Sequence, residues 1–172
     1  PGMHIVGEKF ECGDYFLPNL IFSANGMQEA MKVLEPELRA RQQEVRSAGK
    51  VVIGTVRGDI HEIGKSLVAT MLSANGFQVF DLGVDVPTEQ IVAKVSETGA
   101  ALVGLSALLT TTMGVQAEVI EALKKAGLRE KVKVMVGGAP VTHSWADEIG
   151  ADGYAEDAIG AVELAKRLMR DA

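Results

Sequence analysis

Val51-Val52-Ile53-Gly54-Thr55-Val56 runs directly into Arg57-Gly58-Asp59-Ile60-His61-Glu62-Ile63-Gly64-Lys65-Ser66. The first six residues are β-branched and almost unbroken in apolar character, as a strand buried on both faces of a parallel sheet must be. The next ten are polar and punctuated by glycine, and they lead into an amphipathic stretch expected to be a helix over residues 62–75, closed by Gly76. Strand, polar loop and helix in immediate succession set the rhythm for the rest of the chain.

That rhythm repeats to the C-terminus. Further strands are expected over 78–82, 101–105, 132–136 and 153–155. The helices between and after them are expected over 88–97 (capped by Thr88, closed by Gly99), 115–126, 144–149 and 158–170. Five strands alternating with helices predict an α/β fold with right-handed crossovers. For this length the natural form is a flavodoxin-like (Rossmann-like) five-stranded parallel sheet of order 2-1-3-4-5. Such a sheet binds ligands beyond the C-terminal ends of strands 1 and 3, at the switch point.

Upstream the period changes. Phe16 and Leu20, then Met27, Met31, Leu34 and Leu38, recur at helical spacing, with Pro18 near a helix start and Pro36 beginning or kinking the next helix. Ser47-Ala48-Gly49-Lys50 reads as a short linker. The chain is therefore expected to divide into a partial helical bundle, 1–48, and an α/β domain, 49–172. The abrupt start at Pro1-Gly2-Met3 reads as a trimmed chain or a fragment of a longer protein.

Composition narrows the function classes. With 47% hydrophobic and 23% charged residues the chain is an ordinary globular one. A net charge of −6 argues against nucleic acid, because phosphate binding needs a basic surplus. The densest basic stretch, Lys124 to Lys133, is interrupted by Gly127 and Glu130 and reads as a solvated helix end. The lone Cys12 allows no internal disulfide, and the longest apolar run, residues 100–109, is too short to span a bilayer. No charged-then-apolar leader opens the chain, so a cytoplasmic protein without membrane attachment is expected.

Three loops should converge at the switch point: residues 57–66, residues 106–112 (Ser106-Ala107-Leu108-Leu109-Thr110-Thr111-Thr112), and Gly137-Gly138-Ala139-Pro140. Asp59 and His61, two residues apart, suggest a general-base pair or a metal ligand with its orienting carboxylate; a histidine that merely caps the following helix fits their position equally well. His4 and His143 have no ligand spacing to His61, and no cysteine or carboxylate cluster offers a tetrahedral metal set. Gly64-Lys65-Ser66 mimics a phosphate loop, but such a loop needs glycine at position 59, where Asp stands.

Asp59-x-His61-x-x-Gly64, then Ser106-x-Leu108, then Gly137-Gly138 resembles the cobalamin-binding signature of methionine synthase and the small corrinoid proteins, and the intervening segments 65–105 and 109–136 match the family spacing. Gly2-Met3, Val6-Gly7, Phe10, Gly13, Phe16-Leu17-Pro18 and Leu34-Glu35-Pro36 resemble the second half of the family's helical cap. Residues 106–113 and 150–155 resemble the free-standing corrinoid proteins of methyltransferase systems more than methionine synthase.

The resemblance implies a cobalamin or related corrinoid held base-off, with His61 as the cobalt ligand, Asp59 accepting its other ring N–H, and Thr112 completing the relay. Thr112 stands where the family has serine. Ser106, Leu108 and Thr110 would line the channel for the displaced nucleotide tail. Gly104, Gly137 and Gly138 would admit that tail by close backbone approach. Ile60, Ile63 and Gly64 would flank the lower corrin face, Glu156 would lie nearby, and Phe10 and Leu17 would cover the methyl face. The implied function is a non-catalytic subunit carrying a methyl group on cobalt. Its implied partners are a donor-specific methyltransferase, an acceptor (folate or thiol) methyltransferase and a reductive activase. The rival readings are a cobalamin-dependent sensor, the cobalamin domain of methionine synthase or a mutase, and a receiver domain. The last is weakened by Ser106 standing where a phosphate-acceptor aspartate belongs.

Overall fold

The computed structural model describes residues 48–170 continuously and, before them, residues 5–6, 9–10, 12–16, 18–23, 25–26, 29–30 and 33. Five strands and five helices alternate after residue 48: β1 (Gly49–Thr55), α1 (Ile63–Ala74), β2 (Phe77–Asp81), α2 (Thr88–Thr98), β3 (Leu102–Ser106), α3 (Met113–Lys125), β4 (Lys133–Gly137), α4 (His143–Ile149), β5 (Gly153–Tyr154) and α5 (Ala158–Arg170). The sheet is wholly parallel, in the order β2-β1-β3-β4-β5. The expected α/β, flavodoxin-like architecture is therefore the one observed.

β1 and β3 lie at the centre, and the run Val51, Val52, Ile53 is buried on both faces. One face is closed by α1 and α5, whose Met71, Leu72, Val162, Ala165 and Leu168 meet Val51, Leu102 and Met135. The other is closed by α2, α3 and α4, whose Ile91, Val95, Val119, Ile120 and Ala146 meet Val52, Val103 and Val134. In α5 the buried positions 158, 161, 162, 164, 165 and 168 fall along one face at mainly three- and four-residue intervals, the stripe an amphipathic helix needs. Leu20, from the N-terminal helical zone, is 1% exposed and joins the α1/α5 side of the core.

Strand register arranges the site. Ile53, Gly104 and Met135 stand side by side across β1, β3 and β4, and two residues onward so do Thr55, Ser106 and Gly137. Residues two apart on a strand share a face, so these two rows are stacked layers on the α1/α5 side, the second nearer the C-terminal edge.

Two local expectations change. Pro87, not Thr88, occupies the N-cap of α2; Thr88 is its first residue, and its hydroxyl is buried with no partner among the described residues. The fixed backbone angle of proline suits a helix start, and the Pro87 carbonyl accepts the first helical bonds, from the Gln90 and Ile91 amides. The third helix begins at Met113 rather than 115, because Thr112 turns inward to a carboxylate.

Candidate site at the switch point

Asp59 organises the C-terminal edge of the sheet. Its carboxylate is fully buried, and every lone-pair direction is engaged. One oxygen accepts from the His61 amide at 3.1 Å and lies 2.6 Å from His61 Nδ1. The other accepts from the amides of Leu108 (2.7 Å) and Leu109 (3.2 Å) and from the Thr112 hydroxyl (2.7 Å). Burial by itself would push this carboxyl up. The hydrogen bonds from Thr112, the His61 ring and the Leu108 and His61 amides outweigh it and hold Asp59 well below the usual carboxylate range.

With Asp59 ionised, His61 Nδ1 is the donor, so in the neutral ring the lone pair is on Nε2, the tautomer a metal-binding imidazole needs. The ring is 44% exposed, at the mouth of a cavity of about 660 Å³. Ile60 and Ile63 are among the most exposed large apolar side chains described (74% and 84%), and with Leu108, also exposed, they line the same cavity as His61. An imidazole with a free nitrogen, ringed by exposed aliphatic groups, suits a flat apolar ligand carrying a metal at its centre. Among the described residues no cluster of three or more His, Cys, Asp or Glu gathers.

Three further groups fix this loop, in roles that no local pattern marks. The Thr55 hydroxyl, wholly buried, donates to the His61 carbonyl at 2.8 Å. Asp85, at φ 51° in the left-handed region, accepts from the Gly58 amide at 2.7 Å and donates its own amide to the Asp59 carbonyl at 2.8 Å. Lys65 is buried, with its ammonium 2.6 Å from both oxygens of Asp81. The lysine that mimics a phosphate loop instead pins the start of α1 to the end of β2. Gln116 is also unforeseen: its amide donates to the Leu105 carbonyl (3.0 Å) and the Gly137 carbonyl (3.3 Å) and accepts from Trp145 Nε1 (2.9 Å).

The cavity brings together Ile60, His61, Ile63, Gly64, Gly104, Ser106, Leu108, Gly137, Gly138 and Glu156. Asp59 and Thr112 lie behind its wall as the relay. Thr110 is exposed on the loop after β3 and is not among the lining residues. Phe10 is half-buried against the α1/α5 core and does not line the cavity either. Leu17 lies outside the described residues.

The glycines fit for reasons only partly anticipated. A Cβ on Gly64 would meet nothing within 4 Å, so the space beside the start of α1 is open. A Cβ on Gly138 (φ 129°) would sit 1.8 Å from the Ala107 carbonyl oxygen, and one on Gly137 3.1 Å from that of Ala155. These two are required by the protein's own loops touching one another, before any ligand enters.

Residues 49–163 match a family model described as a B12 binding domain, and residues 1–35 match a second model of the same description. The chain is 54% identical over 168 residues to dimethylamine corrinoid protein 1 of Methanosarcina mazei, which covers 98% of this chain and 77% of that protein. A solved cobalamin-binding protein from Desulfitobacterium hafniense superposes with a TM-score of 0.75 at 43% identity, over 97% of this chain and 78% of that one. The methanol:cobalamin methyltransferase complex of Methanosarcina barkeri contains a chain that superposes with a TM-score of 0.89 at 33% identity, over 99% of this chain and 64% of that one. A poised imidazole at the switch point thus coincides with matches spanning nearly every residue, and the chain belongs to the B12-binding corrinoid proteins.

Proposed function

We propose that this protein is a methyl carrier: it holds a corrinoid base-off with His61 as the axial ligand to cobalt and presents it in turn to a donor-specific methyltransferase and an acceptor methyltransferase. In this reading residues 1–48 are the partial cap and 49–172 the cofactor domain. The observation that carries it is the Asp59 relay, which fixes the His61 tautomer and leaves Nε2 free at the mouth of an apolar cavity. When bound, the corrinoid supplies a cobalt that can accept and release a methyl group.

The chain's own residues do the rest. His61 Nε2 would hold the cobalt, with Asp59 and Thr112 steadying that imidazole and sharing its proton. Ile60, Ile63 and Leu108 would exclude water around the bound corrinoid, and the cavity they line would take its nucleotide tail. Glu156 stands at the cavity rim. Thr110, exposed on its loop, is assigned to the tail entrance, and Phe10 and Leu17 to the cap. The names of the relatives suggest a methylamine as the first donor to test. A folate or thiol is the proposed final acceptor, with a reductive activase to restore the cofactor.

The test is reconstitution with cobalamin, reduction to Co(II), and electron paramagnetic resonance on protein labelled with nitrogen-15 histidine. The expected spectrum shows coupling to a histidine nitrogen, lost in His61→Ala while corrinoid is partly retained. Coupling to the corrinoid's own base in the wild type would overturn the reading.

A further inference from the structure

The turn that carries Asp59 has a defined form. Val56, Arg57, Gly58 and Asp59 make a β-turn closed by the Asp59 amide on the Val56 carbonyl at 3.1 Å. Gly58 sits at φ 83° and Arg57 does not share the positive φ, the combination of a type II turn. In that form the peptide between Arg57 and Gly58 is flipped relative to the commoner type I. What holds the flipped N–H of Gly58 is Asp85, whose carboxylate accepts it at 2.7 Å. The Asp85 amide in turn donates to the Asp59 carbonyl at 2.8 Å. One residue from the loop after β2 thus grips the turn at two points.

Asp85 occupies an unfavourable conformation to do so. Among the described residues it is the only non-glycine of positive φ, at 51°, a region that penalises a side chain and that aspartate and asparagine tolerate best. It is exposed, so core packing does not explain the conformation. A strained residue persists where its surroundings over-determine it, and here those surroundings are the two bonds to the turn. The start of α1 has a separate tie, Lys65 to Asp81. Asp85 therefore acts on the chain before His61, and Lys65 on the chain after it.

We infer, on the reading that His61 holds cobalt, that Asp85 is a positioning residue for that ligand: it locks the Arg57–Gly58 peptide in its flipped orientation and so keeps Asp59 aimed at His61. Without the Asp85 acceptor the peptide is free to turn over, and the 2.6 Å contact between Asp59 and His61 Nδ1 loses its fixed base. Groups that orient a ligating histidine typically change metal affinity by roughly 10–100-fold, and a residue one step further out belongs at the lower end of that range.

The experiment separates the acceptor from the backbone angle. Asp85→Asn keeps an acceptor oxygen and tolerates the left-handed region. Asp85→Gly adopts that region freely but offers no acceptor; Asp85→Ala replaces it should it fail to fold by circular dichroism. In the apoprotein, deuterium exchange at the Gly58 amide is expected to be slow in wild type and Asp85→Asn and fast in Asp85→Gly. With cobalamin added, Asp85→Gly is expected to bind about tenfold more weakly, with weakened histidine-nitrogen coupling in the Co(II) paramagnetic resonance spectrum. Its urea midpoint should stay near that of wild type, and Asp85→Asn should restore both affinity and coupling. Wild-type affinity and coupling in Asp85→Gly overturn the inference, as does an equal loss in Asp85→Asn. Failure of both Asp85→Gly and Asp85→Ala to fold also overturns it, by assigning Asp85 to folding. Absence of histidine coupling in the wild type overturns instead the reading of His61 as ligand.

Discussion

Two glycines at this site do opposite things, and the difference separates folding from binding. Gly138 adopts a backbone angle that side chains rarely take, and its Cα faces the Ala107 carbonyl at a distance that leaves no room for a methyl group. Gly138→Ala is therefore expected to destabilise the protein in the absence of any corrinoid, by about 1–3 kcal/mol or more, through combined overpacking and backbone strain. Urea unfolding of the apoprotein measures it, and an unchanged midpoint would show that these loops separate freely. Gly64 faces open space. Gly64→Val should leave the stability from urea unfolding within about 0.5 kcal/mol and weaken corrinoid binding instead, because its side chain enters the open cavity that Gly64 lines. The motif positions alone do not distinguish these roles: both are glycines beside a ligand, and only the backbone path shows which neighbour each one avoids.

At the scale of elements, the ends of β3 and β4 are held by a helix rather than by each other alone. Gln116, on α3, satisfies the Leu105 and Gly137 carbonyls and takes the indole proton of Trp145 from α4. Replacing it by leucine leaves the Trp145 indole N–H without its partner and takes one donor from the Leu105 and Gly137 carbonyls, the latter still accepting from the Ala107 amide, at a cost of about 1–3 kcal/mol for a buried group so stranded. Calorimetry of Gln116→Leu should show a fall of about 2–4 °C for every kcal/mol lost in a domain of this size; an unchanged transition would mean that water replaces the amide. Here too the limits of reading a sequence are visible. The β-branched run at 51–56 announces β1, and the 158–170 stripe announces α5 with its observed bounds, because burial imposes a period on neighbouring residues. Asp59, His61 and Thr112 were legible as a motif. Gln116, Asp85, Thr55 and the Lys65–Asp81 pair were not: each acts on a partner that only the fold brings near, and nothing in its local sequence marks it.

For the whole molecule, the position of Leu20 matters most. It is almost fully buried in the core shared by α1 and α5, and with Val6 and Phe10 it packs the described N-terminal residues onto the α/β unit. Leu20→Ala is expected to cost about 2–5 kcal/mol, as other large-to-small core changes do. The single tryptophan, Trp145, lies on the opposite face of the sheet and reports on the α/β unit alone. If the molecule unfolds as one cooperative body, Leu20→Ala lowers the midpoint seen by tryptophan fluorescence. A tryptophan transition indifferent to the substitution would mean that the two zones melt separately.

The five contacts to Asp59 also bear on how the protein is filled. All five come from the chain segments at 61 and 108–112, and they are complete in the protein alone. The amides of His61, Leu108 and Leu109 should therefore already exchange slowly with deuterium in the empty protein, and loading should speed or slow them little. Capture of the ligand then becomes a single encounter with a finished socket, its rate rising linearly with ligand concentration, rather than a slow ordering of the loops around a guest.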